Sequence, residues 1–376
     1  MTSFPMATPS DRRTPTANDT RESALSQAGS LRQVPALVKA GLVAADEAPA
    51  IEKVAARYAV AITPTVAGLI DRHDPADPIA RQFVPSADEF ETLPYERTDP
   101  IGDEAHSPVK GIVHRYPDRV LLKPLHACPV YCRFCFRREQ VGPGGAALNE
   151  AELAAAIDYI RARPQIWEVI LTGGDPLMLA PRRLAGIIAA LSEIPHVATL
   201  RIHSRVPVAD PARIDAALLE ALGSPLPVWL AIHANHPREL GPEAAAACAR
   251  LARAGVSLLG QTVLLRGVNA DVGVLEALFR AMVRARIKPY YLHHPDLAPG
   301  TSGFRVSIVE GRALMRSLRG RLSGIAQPTY VLDIPGGEGK VPIGPDFVED
   351  AGIRDSQGRL WPHPEIGDLW GTVGQE

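Results

Sequence analysis

Three cysteines, Cys128, Cys132 and Cys135, fall within eight residues of HACPVYCRFCFRRE, spaced Cys-x3-Cys-x2-Cys. The chain has four cysteines in all, so this clustering does not follow from a cysteine-rich composition. Thiolates this close in sequence commonly share a metal or a cluster. Three ligands leave one iron of a [4Fe–4S] cube open, and an open iron can bind a small molecule and pass it an electron. Zinc is the competing reading. It wants a fourth ligand, no second Cys-x2-Cys pair exists, and His126 would complete the set only with poor spacing. A disulfide would suit a secreted chain, and buried thiols can also cluster by chance. Phe134, directly before the third cysteine, would shield a cluster from water.

A second signal is PGGEGKVP, Pro335–Pro342, which sets Lys340 among glycines. Taken alone it reads as a glycine-rich turn with a solvated lysine. It is not a Walker A loop, because Val341 stands where Ser or Thr is required. A lysine amine with small neighbours also meets the needs of a pyridoxal phosphate Schiff base, since the ring needs room.

The elements that must position these groups follow from hydrophobic periodicity. Residues 1–30, rich in Ser, Thr, Pro and Asp, read as disordered. LRQVPALVKAGLV and EKVAARYAVAI predict helices between Leu31 and about Asp71, and residues 72–110 read as a surface linker. From Arg119 short apolar runs alternate with amphipathic stretches: RVLLKPL, WEVILTGG, ATLRIHSR, PVWLAIHA, VSLLGQTVLL and KPYYLHH are the strand-like runs. That alternation predicts an α/β fold with a parallel sheet and outer helices. In a parallel barrel, function gathers at the strand C-termini. Cys128, Gly173 with Gly174, His203 with Ser204, and His233 all follow strand-like runs at that end. An open doubly wound sheet fits the pattern too. After Pro295 the chain reads as irregular, with one helix in SIVEGRALMRSLRGRL and a C-terminal cover.

Composition narrows the class. Hydrophobic residues make up 46% of the 376, enough for a large core, and the net charge of −2 gives no nucleic-acid or membrane surface. No apolar run is long enough to span a bilayer, and the N-terminus lacks a secretory h-region. Clustered free cysteines fit a reducing compartment, so the expected location is the cytoplasm.

The cysteine motif, with TGGDP at Thr172–Pro176 one βα unit later, resembles the radical S-adenosylmethionine superfamily. HRYPDRVLL, CPVYCRFCFRR, LTGGDPL, RIHSRVPV, AIHANHPREL, GQTVLLRGVN, YYLHHPDLAPGTSGFR and DIPGGEGKVP, in that order, narrow the resemblance to the lysine 2,3-aminomutase family. It covers roughly Tyr95 to Ile343. The fold implied is a partial (β/α)6 barrel over 111–300, preceded by a helical section and linker at 31–110 and followed by a lysine-bearing segment and cover at 301–376.

The resemblance implies an isomerase with three cofactors: a [4Fe–4S] cluster on Cys128, Cys132 and Cys135, S-adenosylmethionine, and pyridoxal 5′-phosphate on Lys340. It implies S-adenosylmethionine contacts from Thr172, Gly173, Gly174, Asp175, His203, Ser204 and His233. Arg115 and Arg119 would lie near the pyridoxal phosphate group, where a dianion suits guanidinium. Arg137 would grip the substrate carboxylate, while Asp296 and Asp333 would bind a distal ammonium. Two carboxylates can neutralise one buried ammonium, so L-lysine fits best and the product is β-lysine. Arginine, ornithine and the β-lysine supply for elongation factor P stay open as alternatives. An electron donor of flavodoxin or ferredoxin type and a homo-oligomer are also implied, with no nucleic-acid or membrane partner. The chain departs from the family in two places. It lacks the extra cysteines of a C-terminal zinc site, so zinc is not expected and Cys248 reads as a core thiol. Phe134 also stands where the family often has His.

Overall fold

The computed structural model describes residues 29–142, 147–350, 352–363 and 366. A nine-stranded sheet runs in simple sequence order: β1 (Ile112–Tyr116), β2 (Arg119–Leu125), β3 (Glu168–Gly173), β4 (Thr199–Ser204), β5 (Val228–His233), β6 (Ser257–Val263), β7 (Lys288–His293), β8 (Thr329–Asp333) and β9 (Lys340–Pro342). Strands β2 to β8 are parallel, and antiparallel β1 and β9 close the two edges. Every neighbour in the parallel sheet is the next strand in sequence, each reached across a helical crossover. That is the wind of a barrel and not of a doubly wound sheet, where the order reverses. The expected partial barrel is the fold, a curled half-barrel of parallel strands.

The helices form for local reasons. Asn149 and Glu152 make a capping box ahead of Glu150–Arg161, and Asp271 caps Val272–Arg284 through the Val274 N–H. In Pro242–Arg253 the buried residues are Ala244, Ala247, Cys248 and Leu251, one helical stripe facing the sheet. They join the strand residues Leu122, Leu171, Ile202, Leu230 and Leu292 in a single core. Cys248 is a buried free thiol there, which burial pushes up to about 12.

Three sequence expectations change. The segment after Pro295 is more regular than its composition suggested. Helix Ile308–Arg319, with its Ser307–Glu310 capping box, feeds β8, so KPYYLHH opens a sixth strand–helix unit. The segment 72–110 is no surface linker, since Asp77, Glu89 and Asp103 in it are all buried. Asp77 caps helix Pro78–Phe83 and pairs with Arg238 at 2.7 Å, which is how a carboxylate survives burial. The N-terminal helices are Val34–Lys39, Ala48–Arg57 and Pro64–Leu69; the chain from Tyr58 to Ile62 is not helical, and Ile62 bridges Leu31. The described part of the expected cover is a small antiparallel sheet whose Leu360 and Trp361 stay exposed. The segment expected to be disordered, 1–30, lies outside the described residues except for Gly29 and Ser30.

Candidate active site

The cysteine loop leaves the C-terminal end of β2 and is clamped from the N-terminal section. Tyr131 N–H donates to Ala61 O and Arg133 N–H to Gln82 O. The buried Glu89 carboxylate receives Arg133 Nε at 2.9 Å and is also paired with Arg138. Arg138 lies over the Tyr58 ring, 3.6 Å from its centroid. The three thiols are free. Burial raises all three, Cys132 to about 11, so they stay protonated until a metal displaces the protons. A cube would take each thiolate on a different iron. Phe134 is buried edge-on against His233 and Phe304.

The glycine turn at the end of β3 lies against this loop backbone to backbone. Gly174 N–H donates to Leu125 O at 2.8 Å, and Asp175 N–H to Ala127 O at 2.9 Å. A Cβ on Gly174 would run into the backbone of His126 and Ala127. The glycines are therefore needed to seat the cysteine loop, whatever else they do. Asp175 accepts from the N–H groups of Leu177, Arg205 and Val206 and from Ser204 Oγ. The Asp175 and Ser204 side chains are thus engaged with each other, at the cavity edge. His203 and His233 sit at the ends of β4 and β5, and burial holds both imidazoles neutral. His203 Nε2 is buried with no partner among the described residues, an open donor or acceptor for a bound molecule.

Lys340 arrives on a hairpin. Gly336, Gly337 and Gly339 take φ of 91°, 93° and 102°, values that favour glycine, and return the chain so that Lys340 pairs directly across from Asp333. Lys340 Nζ donates to Asp333 and to His293 Nδ1 at 3.2 Å. Its backbone N–H donates to Tyr116 Oη at 2.6 Å. Burial and the Lys340 charge push His293 down to about 4, so it faces the lysine as a neutral imidazole. Burial alone would raise the Asp333 carboxyl; contacts from His293 and Lys340 outweigh it and hold the group well below the usual carboxylate range. Asp296 is the opposite case. Burial, then the Asp333 charge, raises it to about 7.

These groups share one cavity of about 720 Å³, inside the range of cofactor sites. All three cysteines, Thr172 to Asp175, His203, Ser204, His233, Arg115, Arg119, Arg137, Asp296, Asp333 and Lys340 line it. Sequence positions more than two hundred apart meet because the cysteine loop, the glycine turn, His203, Ser204, His233 and Asp333 lie at the C-terminal ends of neighbouring parallel strands and Lys340 opens β9 across from Asp333, while Arg119 lines the cavity from the start of β2. Arg119 pairs with Asp118 and lies 3.7 Å from the Tyr116 ring centroid. Arg115 donates to Ile101 O and Asp103 and comes within 3.9 Å of Asp333.

The chain matches the Radical SAM superfamily model over residues 122–275 and the Lysine-2,3-aminomutase model over 315–355. It is 45% identical to the L-lysine 2,3-aminomutase of Clostridium subterminale over 289 residues, 77% of this chain and 70% of that one. The chain belongs to the lysine 2,3-aminomutase family. An L-lysine 2,3-aminomutase of Escherichia coli strain K12 is 40% identical, over 73% of this chain and 80% of that one. A glutamate 2,3-aminomutase of Clostridioides difficile strain 630 is 38% identical, over 83% and 74%. Membership in the lysine 2,3-aminomutase family makes the protein an isomerase and brings a [4Fe–4S] cluster, S-adenosylmethionine and pyridoxal phosphate as its cofactors. Among the described residues no helix is long and apolar enough to cross a membrane.

Several residues at this site had no signal in the sequence. Glu89 and Asp103 lie in the segment read as linker, and a lone acidic residue in a Pro- and Asp-rich stretch looks solvated. Tyr116 and His293 stood inside the family motifs, but only the hairpin geometry connects them to Lys340.

Proposed function

We propose that the protein is a lysine 2,3-aminomutase, moving the α-amino group of L-lysine to C3 to give β-lysine. The observation that carries this is the acidic pair at Lys340. Asp333 is ionised and matched by Lys340, while Asp296 is raised by burial and then by that same negative charge. Once the Lys340 amine is engaged elsewhere, Asp333 keeps only the more distant Arg115, at 3.9 Å, and the half-buried pair of Asp333 and Asp296 has a place for a further cation. A substrate ammonium would fill that place; the carboxylate of a glutamate side chain would be repelled there.

In this reading Cys128, Cys132 and Cys135 hold the cluster, and the wall from Thr172 to Asp175 with His203, Ser204 and His233 faces S-adenosylmethionine. Lys340 anchors pyridoxal phosphate, with Arg115 and Arg119 toward its phosphate group. When bound, these cofactors supply a hydrogen-abstracting radical and a π system across which nitrogen can migrate. The chain's own residues do the rest. Arg137 orients the α-carboxylate, and Asp296 with Asp333 fixes the far ammonium, so the C2–C3 unit is held by both ends. His293, neutral at 3.2 Å from Lys340 Nζ, can accept a hydrogen bond from the lysine without competing for its charge. Phe134 and the enclosing strands exclude water.

The test offers L-lysine, L-arginine and L-glutamate side by side to anaerobically loaded protein. The proposal expects β-lysine as the dominant product. Turnover of glutamate in preference to lysine would overturn it.

A further inference from the structure

Arg137 is held by a residue outside every cofactor motif. Asp103 Oδ2 accepts from Arg137 Nε at 3.0 Å and from Arg137 Nη2 at 2.8 Å. A guanidinium has two bidentate faces, one along Nε and Nη2 and one across the two Nη groups. Asp103 occupies the first and leaves the second unused. The Phe136 ring, with its centroid 4.4 Å from the Arg137 guanidinium carbon, gives the plane a further support. The other Asp103 oxygen accepts from Arg115 Nη2 at 3.3 Å, and Lys123 Nζ stands 3.7 Å from Oδ2. One buried carboxylate therefore spaces three cations. Burial would raise the Asp103 carboxyl, yet Arg137 and Lys123 keep it lowered, so it is an anion at neutral pH.

The segment that carries Asp103 is itself fixed to the lysine hairpin. Gly102 takes φ of 67°, and a Cβ there would stand 2.6 Å from the Gly336 carbonyl carbon. Gly336 N–H donates to Pro100 O at 3.3 Å. Asp99 accepts from Asp103 N–H and Glu104 N–H, which closes the turn. The Asp103 carboxylate is thus placed by the same glycine loop that places Lys340.

We propose that Asp103 is a positioning residue for substrate: it holds Arg137 so that the end-on guanidinium face is presented to the α-carboxylate, in register with Lys340. This rests on the reading of Arg137 as the carboxylate clamp. Without Asp103 the guanidinium swings free, and carboxylate binding weakens before chemistry does.

The test uses the fully loaded enzyme with Asp103→Asn. KM for L-lysine should rise about tenfold, the loss of one charge-assisted contact, with kcat changed much less and iron and pyridoxal contents unchanged. The diamine 1,5-diaminopentane, which lacks the carboxylate, should inhibit variant and wild type equally. Removing one anion among three cations endangers folding, so Asp103→Asn combined with Lys123→Met is the second variant. It removes one charge of each sign and should show the same KM rise. An unchanged KM in a folded variant, or an equal loss of diamine binding, would overturn the proposal. If wild type ignores lysine but converts arginine or glutamate, the lysine reading fails, and the same KM comparison is made on that amino acid, which carries the same α-carboxylate. Turnover of none of the three would overturn both.

Discussion

At the scale of single residues, two charges near Lys340 make the sharpest statements. Among the described residues Lys340 is the one amine of the cavity wall, placed opposite an ionised carboxylate, and its loss should be specific. Lys340→Ala is expected to lose the bound pyridoxal absorbance entirely while keeping wild-type iron and sulfide; a retained band would refute the assignment. Asp296 gives a pH dependence. Its carboxyl, raised to about 7, is mostly protonated at pH 6 and mostly ionised at pH 8. Only the ionised form attracts an ammonium, and the lysine side chain stays cationic across that window. Since kcat/KM follows the ionisation of the free enzyme, it should rise about tenfold from pH 6 to pH 8, the change in ionised fraction across that interval. Asp296→Asn should flatten the limb, and a profile that keeps it would assign the ionisation to another group. The three cysteines stood out in sequence because their type and spacing are rare, whereas Lys340 alone read as a solvated lysine in a glycine turn and drew its expected role from the family resemblance. Asp103 did not stand out, because a carboxylate's meaning depends on which guanidinium it meets, and Arg137 is thirty-four residues away.

At the scale of elements, the strands were legible and one of the loops was misread. Six apolar runs gave β2 to β7, because a parallel strand covered on both faces is continuously hydrophobic. β8 was hidden: TYVLD is short, and the glycine-rich hairpin after it looked irregular. The segment 72–110 was misjudged on composition, since its buried acids are neutralised by arginines from distant loops, a pairing that periodicity cannot register. The contact between the glycine turn and the cysteine loop gives this scale its prediction. Gly174→Ala places a methyl into the backbone of His126 and Ala127, which cannot yield as a side chain would. Iron content after reconstitution should fall several-fold while the far-UV circular dichroism stays that of the parent; full iron loading would show that the loop can shift at no cost.

At the scale of the whole molecule, the half-barrel explains why the parts are so far apart in sequence. Each parallel strand delivers its following residue to the same end, so the cysteine loop after β2, the turn after β3, the histidines of β4, β5 and β7, and the acids near β7 and β8 face one space. The N-terminal section is part of this arrangement: Ala61, Gln82 and Glu89 grip the cysteine loop from outside the barrel. The central claim is that cluster, nucleoside cofactor, pyridoxal and lysine act in this single cavity. It is tested most directly with L-lysine deuterated at C3, incubated anaerobically with the loaded enzyme, followed by mass analysis of the 5′-deoxyadenosine formed. The account predicts deuterium in that nucleoside from the wild type and none from Lys340→Ala. Unlabelled nucleoside from a wild type that makes β-lysine, or labelled nucleoside from Lys340→Ala, would contradict it.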